Sequence, residues 1–353
     1  MFEASFARPH LQSFQGEMSP FVFGRIIPAL LASTFLVVLG YCIWALPRGF
    51  DITDESYFLL LALYPDVFKA FVSGAQWITS PLWSVTGSLS GFRAVGLGTI
   101  IFGALTLALG AIRAANSCGL PIAAGRGSCV AIISTTLVVA LHWNSYGVSV
   151  FFTPSYNLIA TAAGYSTIGF TLLCIDRKSV GHAAAFHILA GAGLGIVLLC
   201  KFPAGVSILV LTLALIWAFS RSLRELAFGI STTFIGAVTV ILVIVSAHMT
   251  PVAALEEFKI GLSLYTVALP EAPIARLMRN AGELLTHWSL TATQFAWPIV
   301  LFGAYALSGS RIVAFFGFAS LIFILVSGEY MLGGYPRLTL QLTSLVAFLP
   351  LFF

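Results

Sequence analysis

Three carboxylates fall within five residues, Asp51, Asp54 and Glu55, in the stretch Gly49-Phe50-Asp51-Ile52-Thr53-Asp54-Glu55-Ser56-Tyr57-Phe58. A helix beginning near Thr53 would hold Asp54 and Glu55 in its first turn, where the dipole and the free amides favour their ionised forms. An ionised carboxylate at a water–lipid boundary can take a proton from an acceptor hydroxyl as general base. The same spacing also suits a plain helix start, with Thr53 as the cap and the acids decorating it. A second polar group is Phe152-Thr153-Pro154-Ser155-Tyr156-Asn157. Pro154 and Ser155 mark a helix start, and Tyr156 and Asn157 offer either hydrogen-bonding groups or an interfacial anchor. A third runs from Gly193 to Gly205, where Lys201 and Pro203 interrupt an apolar run. The Lys201 ammonium can meet a phosphate or snorkel from a helix end. Arg93, Lys69 and Arg337 are further cations beside apolar segments, fit for phosphate oxygens or for headgroup anchoring.

The elements that must position these groups belong in a membrane. Hydrophobic residues make up 59% of the 353-residue chain and charged residues 8%, with a mean hydropathy of +1.00. Soluble domains carry about 25% charge, so a soluble globular chain is excluded. Ten apolar runs approach the length of a span, at about 25–47, 94–113, 128–143, 156–175, 182–200, 203–220, 226–248, 289–308, 312–327 and 338–353. The third and ninth are short, and only Lys201 and Phe202 separate the fifth from the sixth. Strand-like alternation is missing, so the expected fold is all-α: one polytopic transmembrane domain over 1–353 with about ten transmembrane helices. The net charge of +4 is small and dispersed, which argues against a nucleic-acid partner. Five scattered cysteines without a CxxC spacing read as small buried hydrophobes. The first 23 residues lack the charged-then-apolar pattern of a cleaved leader, so the first apolar run is expected to remain as an anchor.

Loop charges set the expected orientation. With the N-terminus inside, nine basic residues fall in the inner segments and eight in outer segments of about twice the total length. Nine acids, including Asp51, Asp54 and Glu55, then lie outside and four inside. Two long outer loops, about 48–93 and 249–288, carry helical patterning and are expected to hold amphipathic helices along the membrane surface. None of the ten cores has a charged residue in its middle third. That counts against a coupled transporter, which commonly places charge there.

Four pieces in chain order resemble one family: Asp54-Glu55 in Asp-Glu-Ser-Tyr-Phe-Leu-Leu after the first run, Arg93 opening the second, Tyr156-Asn157 opening a later one, and Gly193-Leu-Gly-Ile-Val-Leu-Leu-Cys-Lys201-Phe-Pro-Ala-Gly205. The pattern is similar to that of the class C (GT-C fold) membrane glycosyltransferases, the group that includes protein O-mannosyltransferases and the lipid A aminoarabinose transferase. The resemblance covers about residues 24–220. It implies inverting transfer of a sugar from a polyprenyl-phosphate-linked donor to a lipid, glycan or protein acceptor on the extracytoplasmic face. Carried over by position, Asp54 is the base and Glu55 its neighbour in the site. Arg93 holds the donor phosphate, and Asp51, Tyr57, Tyr156, Asn157, Lys201, Lys69 and Arg337 are further substrate-binding candidates. Hard cations want about six oxygen ligands, and one acidic cluster cannot supply them, so neither a metal nor another cofactor is expected. The small chain suggests a bacterial cytoplasmic membrane. Three other functions fit the same class of chain. A flippase or transporter for a lipid-linked substrate would call for internal repeats. A lipid-linked glycan polymerase or ligase would centre on His287 with Arg276 and Arg279. A non-catalytic membrane subunit would need none of these groups.

Overall fold

The computed structural model describes residues 26–49, 54–66, 73–117, 126–145, 152–175 and 179–268, together with Ala275. Every regular element among them is an α-helix. Helix α1 (Ile27–Ala45) opens on Pro28, whose missing N–H costs nothing in a first turn. The first long loop contains two short helices, α2 (Asp54–Leu63) and α3 (Gln76–Thr86). Helical patterning in this loop extends over 57–77, but the first helix stops at Leu63, just before Pro65, which cannot continue it. Helix α3 ends on Gly87, whose φ of 59° is the left-handed conformation that closes a helix at little steric cost.

Helices α4 (Leu89–Ser117), α5 (Arg126–Ser145), α6 (Tyr156–Leu173), α7 (Val180–Cys200), α8 (Phe202–Phe219) and α9 (Leu223–Ser246) follow, and α10 (Pro251–Ala268) begins the second long loop. Their starts are chemically marked. The Ser155 hydroxyl accepts from the Leu158 amide at the head of α6, and Ser222 accepts from Glu225 at the head of α9. Pro203 opens α8 immediately after Lys201.

The first seven expected runs each coincide with a helix, and the last three lie outside the described residues. Length and apolarity single out fewer spans within the described residues. Four helices there are long and apolar enough to cross a membrane: α1 from Pro28 to Ala45, α4, α7 and α9. The apolar stretches of α5 and α8 are only Cys129–Val138 and Ala204–Phe219. Helix α6 carries Asn157, Thr161, Ser166, Thr167 and Thr171, and all five but Asn157 are buried. A helix sheathed by protein need not present apolar surface to lipid, which accounts for its polarity.

Helix α6 packs against α4, α7 and α8, while α7 also packs against α9 and α5 bridges α1 and α4. Close approach is built on small residues. Gly96, Gly103 and Gly110 lie seven apart on α4, and a Cβ on any of them would press on a backbone carbonyl, those of Phe152, Ala162 and Gly169. On α7, Gly191 and Gly195 meet the α9 backbone at Thr233 and Ala237, whereas Gly193 faces Thr167 on α6. The glycine-rich Gly191–Gly195 segment is thus a two-sided packing surface. The chain reverses direction between successive helices from α4 to α9. The C-terminal ends of α1, α7 and α9 therefore meet the N-terminal ends of α4, α6 and α8 at one end of the bundle.

Candidate functional site

That shared end gathers the chemistry-bearing segments. Arg93, in the second turn of α4, is fully buried, and all five of its N–H donors have acceptors. Nε donates to Glu55 Oε1 at 2.8 Å and one Nη2 hydrogen to Glu55 Oε2 at 2.7 Å, a bidentate pair. The other Nη2 hydrogen reaches the Gly49 carbonyl at 2.9 Å. Nη1 donates to the carbonyls of Leu46 at 2.7 Å and Arg48 at 3.0 Å. One guanidinium therefore closes the frayed end of α1 and fastens the first turn of α2.

Glu55 is 3% exposed and also accepts from the Thr153 hydroxyl. Thr153 and Ser155 are each 1% exposed, in the extended segment that leads into α6. Phe152, just before them, has a φ of 58° and is buried, its carbonyl lodged against Gly96 of α4. A non-glycine residue in that conformation costs about 1–3 kcal/mol and persists only where its surroundings over-determine it.

Neighbouring carboxylates thus face opposite ways. Glu55 points into the bundle, whereas Asp54 is exposed, because adjacent helical residues project about 100° apart. Tyr57, one turn on from Asp54, is 47% exposed. Desolvation, and then the neighbouring Tyr156, raise its phenol above the ordinary value near 10. Phe58 turns inward and packs edge-on against Tyr156, with ring centroids 5.6 Å apart. On α6, Asn157 Oδ1 accepts from Lys201 Nζ at 3.2 Å, joining the start of α6 to the α7–α8 junction. Lys201 can sit there because its own backbone leaves the helix, with φ −151° and ψ 83° between two apolar helices.

The expected site residues sort into three groups. Asp54, Tyr57, Tyr156, Asn157 and Lys201 stand at this end with side chains at least partly accessible. Glu55 and Arg93 are at the same end but are committed to each other. Arg93, expected to hold a donor phosphate, has no N–H left for one in this arrangement, and Glu55 is an internal anchor. Asp51, Lys69 and Arg337 lie outside the described residues, as do His287, Arg276 and Arg279.

Sequence reasoning passed over Thr153, read there only as part of a cap-like stretch, and the Trp77–His248 contact. In the latter, buried Trp77 of α3 stacks on His248 at the end of α9 with centroids 5.5 Å apart and planes 12° apart. Close by, the Gly74 amide donates to the Leu199 carbonyl at 2.7 Å, so the second short helix is tied to α7 as well. Among the described residues no cluster of three or more His, Cys, Asp or Glu side chains has the spacing of a metal site. In comparison with known proteins, no family model, curated protein or solved structure matches the chain.

Proposed function

We propose that this chain is a membrane glycosyltransferase of the GT-C kind, which moves a sugar from a polyprenyl-phosphate donor to an acceptor hydroxyl with inversion. The observation that carries the reading is the convergence of Asp54, Tyr57, Tyr156, Asn157 and Lys201 at one end of the bundle, from segments far apart in sequence. Asp54 is the general base. It is exposed to an incoming acceptor in the first turn of α2. Lys201 offers an ammonium to the donor phosphate, where negative charge grows as the leaving group departs, and Asn157 orients it. Tyr57 and Tyr156 flank that position as hydrogen-bonding phenols and as walls for the sugar. Arg93 and Glu55 hold the base-bearing helix in place and do not touch substrate.

In the same reading the remaining apolar runs at 289–308, 312–327 and 338–353 complete a topology of about ten spans. The N-terminus lies inside, and the site faces the extracytoplasmic side of a bacterial cytoplasmic membrane, in keeping with the inner excess of Arg and Lys.

The experiment is transfer of label from a panel of polyprenyl-phosphate sugars by membranes containing the wild type or Lys201→Met. The wild type should transfer from at least one donor, and Lys201→Met should raise the donor KM by about tenfold or more, the loss of one charge-assisted contact. An unchanged donor KM removes Lys201 from the phosphate site. Absence of transfer from every donor overturns the reading.

A further inference from the structure

We infer that Thr153 is a positioning residue, whose hydroxyl sets the register between α2, carrying Asp54 and Tyr57, and the start of α6, carrying Tyr156 and Asn157. Its effect on rate rests on the glycosyl-transfer reading, whereas its effect on α2 rests on geometry alone.

Both Glu55 oxygens accept from Arg93, and one of them also accepts from Thr153. Oε2 takes the Arg93 Nη2 hydrogen, while Oε1 is shared between Arg93 Nε and the Thr153 hydroxyl. Arg93 ties α2 to α4 and to the end of α1. Thr153 ties it to the segment that becomes α6. A carboxylate accepts only, so the threonine must donate, and its proton is committed. The two ties are oriented independently, one from a helix and one from an extended segment.

The backbone around Thr153 is constrained from both sides, as a positioning role requires. Phe152 precedes it in the left-handed region, buried, with its carbonyl where a side chain on Gly96 would otherwise stand. Pro154 follows it and restricts Thr153 itself to extended conformations. Ser155 then caps α6, so the turn into Tyr156 and Asn157 is fixed within a few residues of the hydroxyl. The contact of Phe58 with Tyr156 alone is apolar and non-directional, free to slide where a hydrogen bond is not. Without the hydroxyl, Asp54 and Tyr57 lose their alignment with Lys201 and Asn157.

The experiment compares Thr153→Val, Thr153→Ala and Thr153→Ser with the wild-type full chain in lipid nanodiscs, by amide hydrogen exchange over residues 54–63 and by sugar transfer. Valine keeps the shape and removes the donor, alanine removes both, and serine keeps the donor. In Thr153→Val and Thr153→Ala, α2 amides should exchange about tenfold faster, as expected for loss of a hydrogen bond to a charged group. Their kcat should fall about 10- to 100-fold, as a displacement of about 1 Å between reacting groups predicts, with donor KM little changed. Thr153→Ser should restore both. Wild-type exchange of α2 in the valine and alanine variants overturns the inference, whatever the transfer assay gives. Faster exchange of α2 with an unchanged kcat overturns the positioning role in catalysis. Faster exchange alongside a wild type that transfers no sugar overturns the glycosyl-transfer reading and supports Thr153 as the tie that holds α2.

Discussion

Replacing Arg93 by methionine removes a fully buried cation with five hydrogen-bonded donors and leaves the Glu55 carboxylate, 3% exposed, without its counter-charge. Breaking a buried pair from one side typically costs about 3–5 kcal/mol, mostly from the charge left behind. The carbonyls of Leu46, Arg48 and Gly49 add less, because they lie at the bundle end where water can replace the guanidinium. At about 2 °C per kcal/mol for a chain of this size, Arg93→Met should lower the melting midpoint in detergent by about 6–10 °C. Glu55→Gln alone should cost less, since the amide still accepts from Arg93. The double variant should lose less than the sum, with a coupling of about 1–3 kcal/mol, because it leaves no buried charge unpaired. Thermal unfolding of the four forms in one micelle system measures the cycle. A midpoint for Arg93→Met within about 1 °C of wild type, or strictly additive losses, would refute the anchor. Arg93→Lys separates the two roles that an arginine here can have. It keeps the charge but cannot make the fork, so an anchor predicts a lower midpoint with an unchanged donor KM, and a phosphate-binding residue predicts the reverse.

Two other predictions follow from the packing and the electrostatics. Gly96→Ala places a methyl on the Phe152 carbonyl and should destabilise by about 1–3 kcal/mol or more. By contrast, Gly98→Ala, with nothing within 4 Å, should be neutral or stabilising by up to about 1 kcal/mol. Equal midpoints for these two variants would count against the α4–α6 contact. The Tyr57 phenol is raised by desolvation first and by Tyr156 second, so it stays neutral in the folded protein at a pH where it would ionise in the unfolded chain. Stability from this group is intact below about pH 10 and is lost as pH rises through its higher folded value. Tyr57→Phe should therefore flatten the alkaline fall of the melting midpoint, and parallel curves for the two proteins would count against it.

The helices were largely legible in the sequence, because long apolar runs bounded by Pro, Ser and charged residues leave few alternatives. The runs at 182–200 and 203–220 are the sharpest case: only Lys201 and Phe202 separate them, and in the structure Lys201 alone divides the two helices through a non-helical backbone. The run at 156–175 was legible as helix α6, but not its burial: its threonines and serines lower its apolarity, and only the fold shows that they face other helices. The opposite orientations of Asp54 and Glu55 were not legible in the sequence. Adjacent carboxylates look alike in sequence, and which one turns inward depends on the phase of α2, fixed by Arg93 arriving from α4. Arg93 itself has the type and place of a phosphate ligand, and only the carbonyls at the end of α1 reveal that its donors are taken. Thr153 gave no signal beyond its place before Pro154, because a lone threonine acquires its role from what the fold brings to it.

The central claim is that Asp54 acts on substrate while its neighbour Glu55 acts on the fold. The most direct test measures sugar transfer and the melting midpoint together for Asp54→Asn and Glu55→Gln in the same membranes. Asp54→Asn should lose about 100-fold or more in kcat, the contribution of a general base, with its midpoint unchanged. Glu55→Gln should lower the midpoint, and its activity should recover at temperatures where it remains folded. Full transfer by Asp54→Asn, or a stable Glu55→Gln that transfers nothing, would contradict the account.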